Sequence, residues 1–115
     1  MASTLKRLAT GQLPNASAAL YTSSTSNVRA QIVAFTLTNP TAGALTFSVW
    51  IVPSGSTAVD ATVVYDGASI AAGEALILDK MIGHALNSGD AIHGVASSAT
   101  SLTYHISGTE FTTGT

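Results

Sequence analysis

Residues 28–53, VRAQIVAFTLTNPTAGALTFSVWIVP, alternate apolar with small polar side chains on both sides of a central turn. Because side chains alternate across a strand with a period of two, each apolar set lines one face. The apolar sets are Val33, Phe35 and Leu37 before the turn, and Leu45, Phe47, Val49 and Ile51 after it. Asn39-Pro40 and Gly43 interrupt any helical register. The pattern predicts two strands joined as the central hairpin of an all-β domain.

Further short strands with the same alternation follow, separated by turn signals about 8–12 residues apart. We predict them at residues 18–22, 61–65, 74–79, 90–97 and 101–107, with Asp66-Gly67 as a tight turn. Their inward residues extend the expected core by Leu76, Leu78, Ile92, Leu102, Tyr104 and Ile106. The pattern predicts a single antiparallel β-sandwich, or a jelly-roll-like small barrel, of about seven to eight strands.

The length of 115 residues fits one domain. We expect the β-sandwich domain at residues 17–111, an extended N-terminal arm at 1–16 and a polar tail at 112–115. Within the arm, Leu5, Lys6, Arg7 and Leu8 are candidate contacts to a neighbouring subunit, because they combine apolar and positive side chains. No apolar block follows these cations, so no secretory leader is expected. A frayed terminus is the alternative to an arm.

The composition indicates a surface that is covered by other proteins. Charged residues make up 9% of the chain, hydrophobic residues 46%, and the net charge is −2. A soluble domain usually has about 25% charged residues, and a surface with few charges is poorly protected against association. We therefore expect a homo-oligomer, with a trimer or small ring favoured; a small monomeric domain of low charge is the alternative. The charge gives no general attraction to nucleic acid or membranes, and neither partner is expected.

The sequence carries no recognisable catalytic signature. It contains no cysteine, no phosphate-binding glycine motif and no serine nucleophile elbow. Its few carboxylates are not spaced so as to form a catalytic pair, although a hydrolase site built from distant Asp, Glu and His residues would escape such a search. We expect no enzymatic activity, no cofactor and no metal.

Two histidines fall on the outward face of a predicted hairpin formed by the last two strands. His93 and His105 would be cross-strand neighbours there, with Cβ atoms about 4.5–5.5 Å apart. A metal site is one interpretation, but catalytic zinc usually takes three protein ligands and no third is evident. The other is a protein interface that responds to mild acid through its imidazoles. We take both histidines as candidate interface residues.

Trp50 shares its parity with Thr46 and Ser48 and not with the predicted core. If the apolar set faces inward, the chain's one tryptophan faces outward. Tryptophan is enriched both at protein interfaces and at sugar-stacking sites. A bulge that changes the parity, or a second packed layer, is the structural alternative. We take Trp50 as a further interface candidate.

The order of segments resembles that of small all-β structural proteins of tailed bacteriophage virions. The resemblance is carried by AALYTSSTSNVRAQIVAFTLTNPTAGALTFSVWIV, VVYDGASIAAGEALILD and ALNSGDAIHGVASSATSLTYHISGTEF, and it covers about residues 13–111. It implies a non-enzymatic virion part that binds neighbouring virion proteins after assembly in the bacterial cytoplasm. Head decoration (cement) proteins, neck or collar subunits and tail accessories are all of this type. The resemblance carries over no functional residues.

The competing function is a glycan-binding module of a tail fibre or surface protein. It would use Trp50 with Tyr21, Tyr65 or Tyr104 as a stacking platform, and these aromatic rings would have to be exposed on one surface. The parity of Tyr104 places it in the expected core, which argues against this function.

Overall fold

The computed structural model describes residues 2–23, 28–98 and 101–112, which form nine strands and a 3-10 helix. In chain order these are β1 (Ala2–Gln12), β2 (Ala18–Thr22), β3 (Val28–Thr38), β4 (Leu45–Val52), the 3-10 helix (Asp60–Thr62), β5 (Val63–Ile70), β6 (Ala75–Ile77), β7 (Ala85–Leu86), β8 (Ala91–Ala96) and β9 (Thr103–Thr112). Within these residues no helix is long and apolar enough to cross a membrane.

The strands pair antiparallel in two sheets. Sheet A has the order β1-β9-β3-β6, with β7 also paired to β3, and sheet B has the order β2-β8-β4-β5. Every connection except β4–β5 and β6–β7 passes from one sheet to the other. This order is that of a jelly roll, in which two layers enclose one core. The predicted antiparallel sandwich of jelly-roll type is confirmed, with nine strands in place of seven to eight.

Residues 28–53 do not form the predicted hairpin. β3 belongs to sheet A and β4 to sheet B, so the two strands face each other across the core. Two strands in opposite sheets, each with apolar side chains towards the core, show the same alternation as two strands paired in one sheet. The local sequence pattern therefore does not distinguish a hairpin from a crossover between sheets. Asn39, fully buried, fixes the crossover: its Nδ2 donates to the Gly43 and Ile70 carbonyl oxygens at 2.8 and 3.2 Å.

The predicted core is largely confirmed. Nine of its members are buried, namely Phe35, Leu37, Phe47, Val49, Leu78, Ile92, Leu102, Tyr104 and Ile106. Leu45, Ile51 and Leu76 are partly buried against the same cluster. The core also contains side chains from segments without a clear strand pattern, among them Leu13, Met81 and Leu86.

Val33 was expected in the core and is 48% exposed. The pairing of β3 with β9 shifts between Ile32 and Ala34, so an extra residue at this point turns Val33 outward and Ile32 inward.

The tight turn predicted at Asp66-Gly67 is also replaced by a bulge. These two residues lie within β5 rather than in a tight turn, opposite a shift between Phe47 and Val49 of β4. In both places a β-bulge changes a parity that the sequence alone leaves regular.

β9 and β3 approach closely beside the first of these bulges. A Cβ atom on Gly108 of β9 would lie 2.2 Å from the carbonyl oxygen of Gln31 and 2.8 Å from Cδ1 of Leu8. Contacts this short do not occur between non-bonded atoms, so only glycine fits here. β1 has its own bulge across the same point of β9, between Arg7 and Ala9.

The expected N-terminal arm is in fact a strand of the sandwich. β1 pairs with β9 from Ala2–Thr112 to Gln12–Thr103, and Leu8 packs against the core. The pairing partner lies about a hundred residues away in sequence, so no local pattern in residues 1–16 indicates it. Of the expected tail, Thr112 ends β9, and residues 113–115 lie outside the described residues.

Candidate functional site

Trp50 lies on the outer face of sheet B, as predicted from its parity. The pairing register places Ala19, His93, Trp50 and Val63 in one row across β2, β8, β4 and β5. Trp50 and His93 are both half-buried within the chain. An indole and an imidazole flanked by two aliphatic side chains give a largely uncharged strip. Such a strip suits contact with another protein, because aromatic side chains supply much of the binding energy at interfaces.

The predicted pairing of His93 with His105 is wrong. β8 lies in sheet B and β9 in sheet A, so the two imidazoles are on opposite outer faces of the sandwich. His105 is exposed, and its Nδ1 lies 2.9 Å from the Thr10 hydroxyl of β1. Across residues 2–23, 28–98 and 101–112, no three His, Cys, Asp or Glu residues are grouped so that they could hold a metal ion.

The outer face of sheet A combines threonine with exposed apolar side chains. One row is Leu5, Thr109, Gln31 and Ala85, and a second is Thr10, His105, Thr36 and Ile77. Leu5 is 71% exposed, Ile77 67% and Val33 48%. The strands of this sheet contain a single acidic residue, Glu110, whose side chain reaches towards sheet B. Sequence parity missed this apolar surface because it placed Val33 inside and treated Leu5 as part of an arm.

Glu110 joins three strands at one corner of the sandwich. Its Oε2 accepts a hydrogen bond from the Tyr21 hydroxyl of β2 at 2.5 Å, and its Oε1 accepts one from Lys6 Nζ of β1 at 3.2 Å. The Tyr21 hydrogen bond, and after it Lys6, hold the pKa of Glu110 below its usual range. Burial, together with Glu110, raises the pKa of Tyr21. Both Lys6 and Arg7 are exposed, but Lys6 is paired with Glu110 within the chain.

A cavity of about 350 Å³ opens where β7 joins β3. Four apolar residues, two amides and one cation line it: Ala30, Ala85, Leu86, Phe111, Gln31, Asn87 and Arg29. These residues come from three separate segments, so no single stretch of the chain indicates the cavity. The residues that line it include no acid–base pair of the kind that a catalytic site needs.

The stacking platform predicted for a glycan-binding module is not formed. Tyr21, Tyr65 and Tyr104 turn inward, whereas Trp50 lies on the outer face of sheet B. Tyr104 is 8% exposed, and the ring centroid of Tyr65 lies 5.8 Å from that of Phe47. Because the three tyrosine rings turn towards the core from both sheets and Trp50 lies on an outer face, these rings do not form one stacking surface for a sugar.

No protein-family model and no curated protein sequence matches this chain. Among solved structures, a subunit of Bacillus endospore appendages, described as disulfide-linked pili, is similar with a TM-score of 0.57 and 11% identity; the match covers 96% of this chain and 88% of that one. A chain of the infectious bursal disease virus Gx strain is matched with a TM-score of 0.46 and 12% identity, over 95% of this chain and 32% of that one.

The similarity to the appendage subunit shows a shared fold at an identity too low to carry function. The present chain contains no cysteine, so it lacks the residue needed for a disulfide link between subunits. The chain spans about a third of the viral protein that it matches.

Proposed function

We propose that this chain is a non-enzymatic structural subunit that associates with copies of itself and with neighbouring proteins of a tailed-phage virion. Within the virion we place it as a head decoration (cement) protein or as a neck or collar component. The proposal is supported mainly by the large apolar side chains that lie on the outer faces of both sheets. Leu5 and Ile77 are largely exposed on sheet A, and Trp50 lies on sheet B. A large apolar side chain left in water forgoes about 1.5–3 kcal/mol of burial, which association would recover.

The interior supports a role as a rigid building block. In the described part of the chain, every buried side-chain nitrogen and oxygen has a hydrogen-bond partner. Asn39 bonds to two carbonyl oxygens, and the buried Ser23 hydroxyl donates to the Asn87 carbonyl oxygen at 2.6 Å. A satisfied polar interior favours one well-defined conformation, as a repeating subunit requires.

Self-association is further supported by the fold shared with a subunit of assembled pili. The virion location, the binding to other virion proteins and assembly in the bacterial cytoplasm rest on the resemblance of the sequence to tailed-phage proteins. A trimer or small ring is the assembly we favour, because closed symmetry covers a low-charge surface without open ends.

The test of self-association is sedimentation equilibrium from low to high micromolar concentration. The wild-type chain should form an oligomer, and replacing Ile77 by Ser should weaken it by removing apolar area from sheet A. Val59→Ser is the matched control, since Val59 is 48% exposed but precedes the 3-10 helix and lies outside both sheets. A wild-type monomer throughout would refute self-association. Mass spectrometry of purified phage particles tests the virion location separately, and absence of the chain there would refute it.

A further inference from the structure

The sandwich has two long open edges on opposite sides. β1 is the first strand of sheet A and β5 is the last strand of sheet B, and in the described residues neither has a partner on its outer edge. The two sheets stack with their first strands on one side of the sandwich and their last strands on the other. The edge strands β1 and β2 therefore lie on one side, and the edge strands β5 and β6 lie on the opposite side. An edge strand presents unpaired N–H and C=O groups that can pair with another strand. β1 has 11 residues and β5 has 8, above the usual five to six or so.

The two sides carry opposite charge. The β5 side holds four of the six acidic residues of the chain, namely Asp60, Asp66, Glu74 and Asp79, and one cation, Lys80. On the β1 side, the charges of Lys6 and Glu110 cancel in their salt bridge, and Arg7 is exposed beside it. Arg7 therefore gives the β1 side a net positive charge.

From these two observations we propose that β1 of one copy pairs edge to edge with β5 of a second copy, a contact that rests on the self-association proposed above. β1 contains no acidic residue and β5 contains no basic one, so pairing either strand with its own copy sets only like charges, Arg7 or Asp66, across the contact. Like charges directly opposite each other on paired strands are destabilising, and opposite charges are favourable. Only the β1–β5 contact joins unlike charges.

The β1 end of this contact has a regular docking segment. From Ala2 to Arg7 the ladder with β9 is uninterrupted, and the bulge comes only after Arg7. Leu5, 71% exposed in the middle of this segment, provides apolar area for the incoming strand to cover. Each copy then offers one β1 edge and one β5 edge. Such a head-to-tail contact closes into a ring, or extends into a filament, according to the rotation between neighbours.

A charge-swap experiment on the full-length chain tests the contact. In Arg7→Glu, a glutamate would face Asp66 of the next copy, and in Asp66→Arg an arginine would face Arg7. Each variant alone should associate at least about tenfold more weakly than wild type, because like charges across an interface are costly. Mixed in equal amounts, the two variants should regain wild-type association by alternating along the assembly. Each contact between unlike variants then joins either the two introduced side chains or the native Arg7 and Asp66, and both pairs have opposite charge.

Sedimentation velocity at low salt measures the association, and the urea midpoint of each variant checks that the fold is intact. Arg29→Glu makes the same charge change on the central strand β3, away from both edges, and should weaken association less than Arg7→Glu does. If the mixture fails to recover, or both single variants associate like wild type, the β1–β5 contact is wrong while self-association stands. If the wild-type chain itself is monomeric at high micromolar concentration, both proposals fail together.

Discussion

Replacing Gly108 by alanine tests how closely β9 approaches β3 in the middle of sheet A. The new Cβ would lie 2.2 Å from the Gln31 carbonyl oxygen, whereas a carbon–oxygen contact needs about 3.3 Å. One of the two strands must therefore retreat by about 1 Å. The end of Leu8 can rotate away, but Gln31 cannot, because β3 is held by β9 on one side and by β7 at Ala85 on the other.

The expected cost follows from this geometry. Forcing an extra methyl group into a packed interior costs about 1–3 kcal/mol, and more where the backbone must move. Separating β9 from β3 would also weaken neighbouring ladder hydrogen bonds, each of which contributes about 1 kcal/mol. We expect Gly108→Ala to lose about 3 kcal/mol or more of unfolding free energy. In a domain of this size that lowers the melting temperature by roughly 10 °C.

Urea denaturation followed by Trp50 fluorescence, at one fixed low protein concentration, measures the loss. Two other glycines provide graded controls. The atoms nearest a Cβ on Gly94 would be the side-chain ends of Leu20, at 2.8 Å, and of Leu13, at 3.0 Å, rather than backbone, so Gly94→Ala should cost less than Gly108→Ala. A Cβ on Gly43 would meet nothing within 4 Å, so Gly43→Ala should stay within about 0.5 kcal/mol of wild type. A Gly108→Ala loss no larger than that of Gly43→Ala would refute the close approach of β9 to β3.

Two further predictions concern the core and the corner at Glu110. Phe47→Ala should cost about 3–5 kcal/mol, whereas Val33→Ala should cost under about 0.5 kcal/mol because the bulge turns Val33 outward; equal urea midpoints for the two variants would contradict the assignment. Tyr21→Phe removes the hydrogen bond to Glu110 and should cost about 1 kcal/mol at neutral pH, a value reduced by the partial exposure of the carboxylate. The folded-state pKa of Glu110 lies below its ordinary value of 4.5, so this stabilisation is present above that pH and is lost as the pH falls through the folded-state pKa. The difference between wild type and Tyr21→Phe should therefore shrink as the pH falls through the lowered folded-state pKa of Glu110, and a difference independent of pH would contradict the role of Glu110.

The strands and most of the core follow from local alternation, because burial of one face imposes a period of two wherever the strand is regular. Val33 departs from the prediction where a bulge interrupts that period. The position of Trp50 on an outer face was predictable for the same reason, since β4 is regular through that point with respect to β8.

Pairing between strands was not predictable in the same way. The separation of His93 from His105, and of β3 from β4, depends on which sheet each strand joins, and a jelly roll sends most consecutive strands to opposite sheets. Residues 1–16 looked like an arm because Gly11 and Pro14 break regular structure there. Lys6 of β1 donates its hydrogen bond to Glu110, at the far end of the chain, and no local pattern indicates that partner.

The pairing of β1 with β9 has a consequence for how the chain is made and handled. β9 lies between β1 and β3 although it comes last of the nine strands in the chain, so sheet A cannot close until β9 has been synthesised. Folding of this sheet must then wait until β9 has emerged from the ribosome, and the many contacts between distant residues should make it slow. Ala2 and Thr112 are direct neighbours across the ladder, so tags placed on either terminus emerge at the same corner. A short linker joining the two ends would permit new termini to be opened at the residue 53–58 loop.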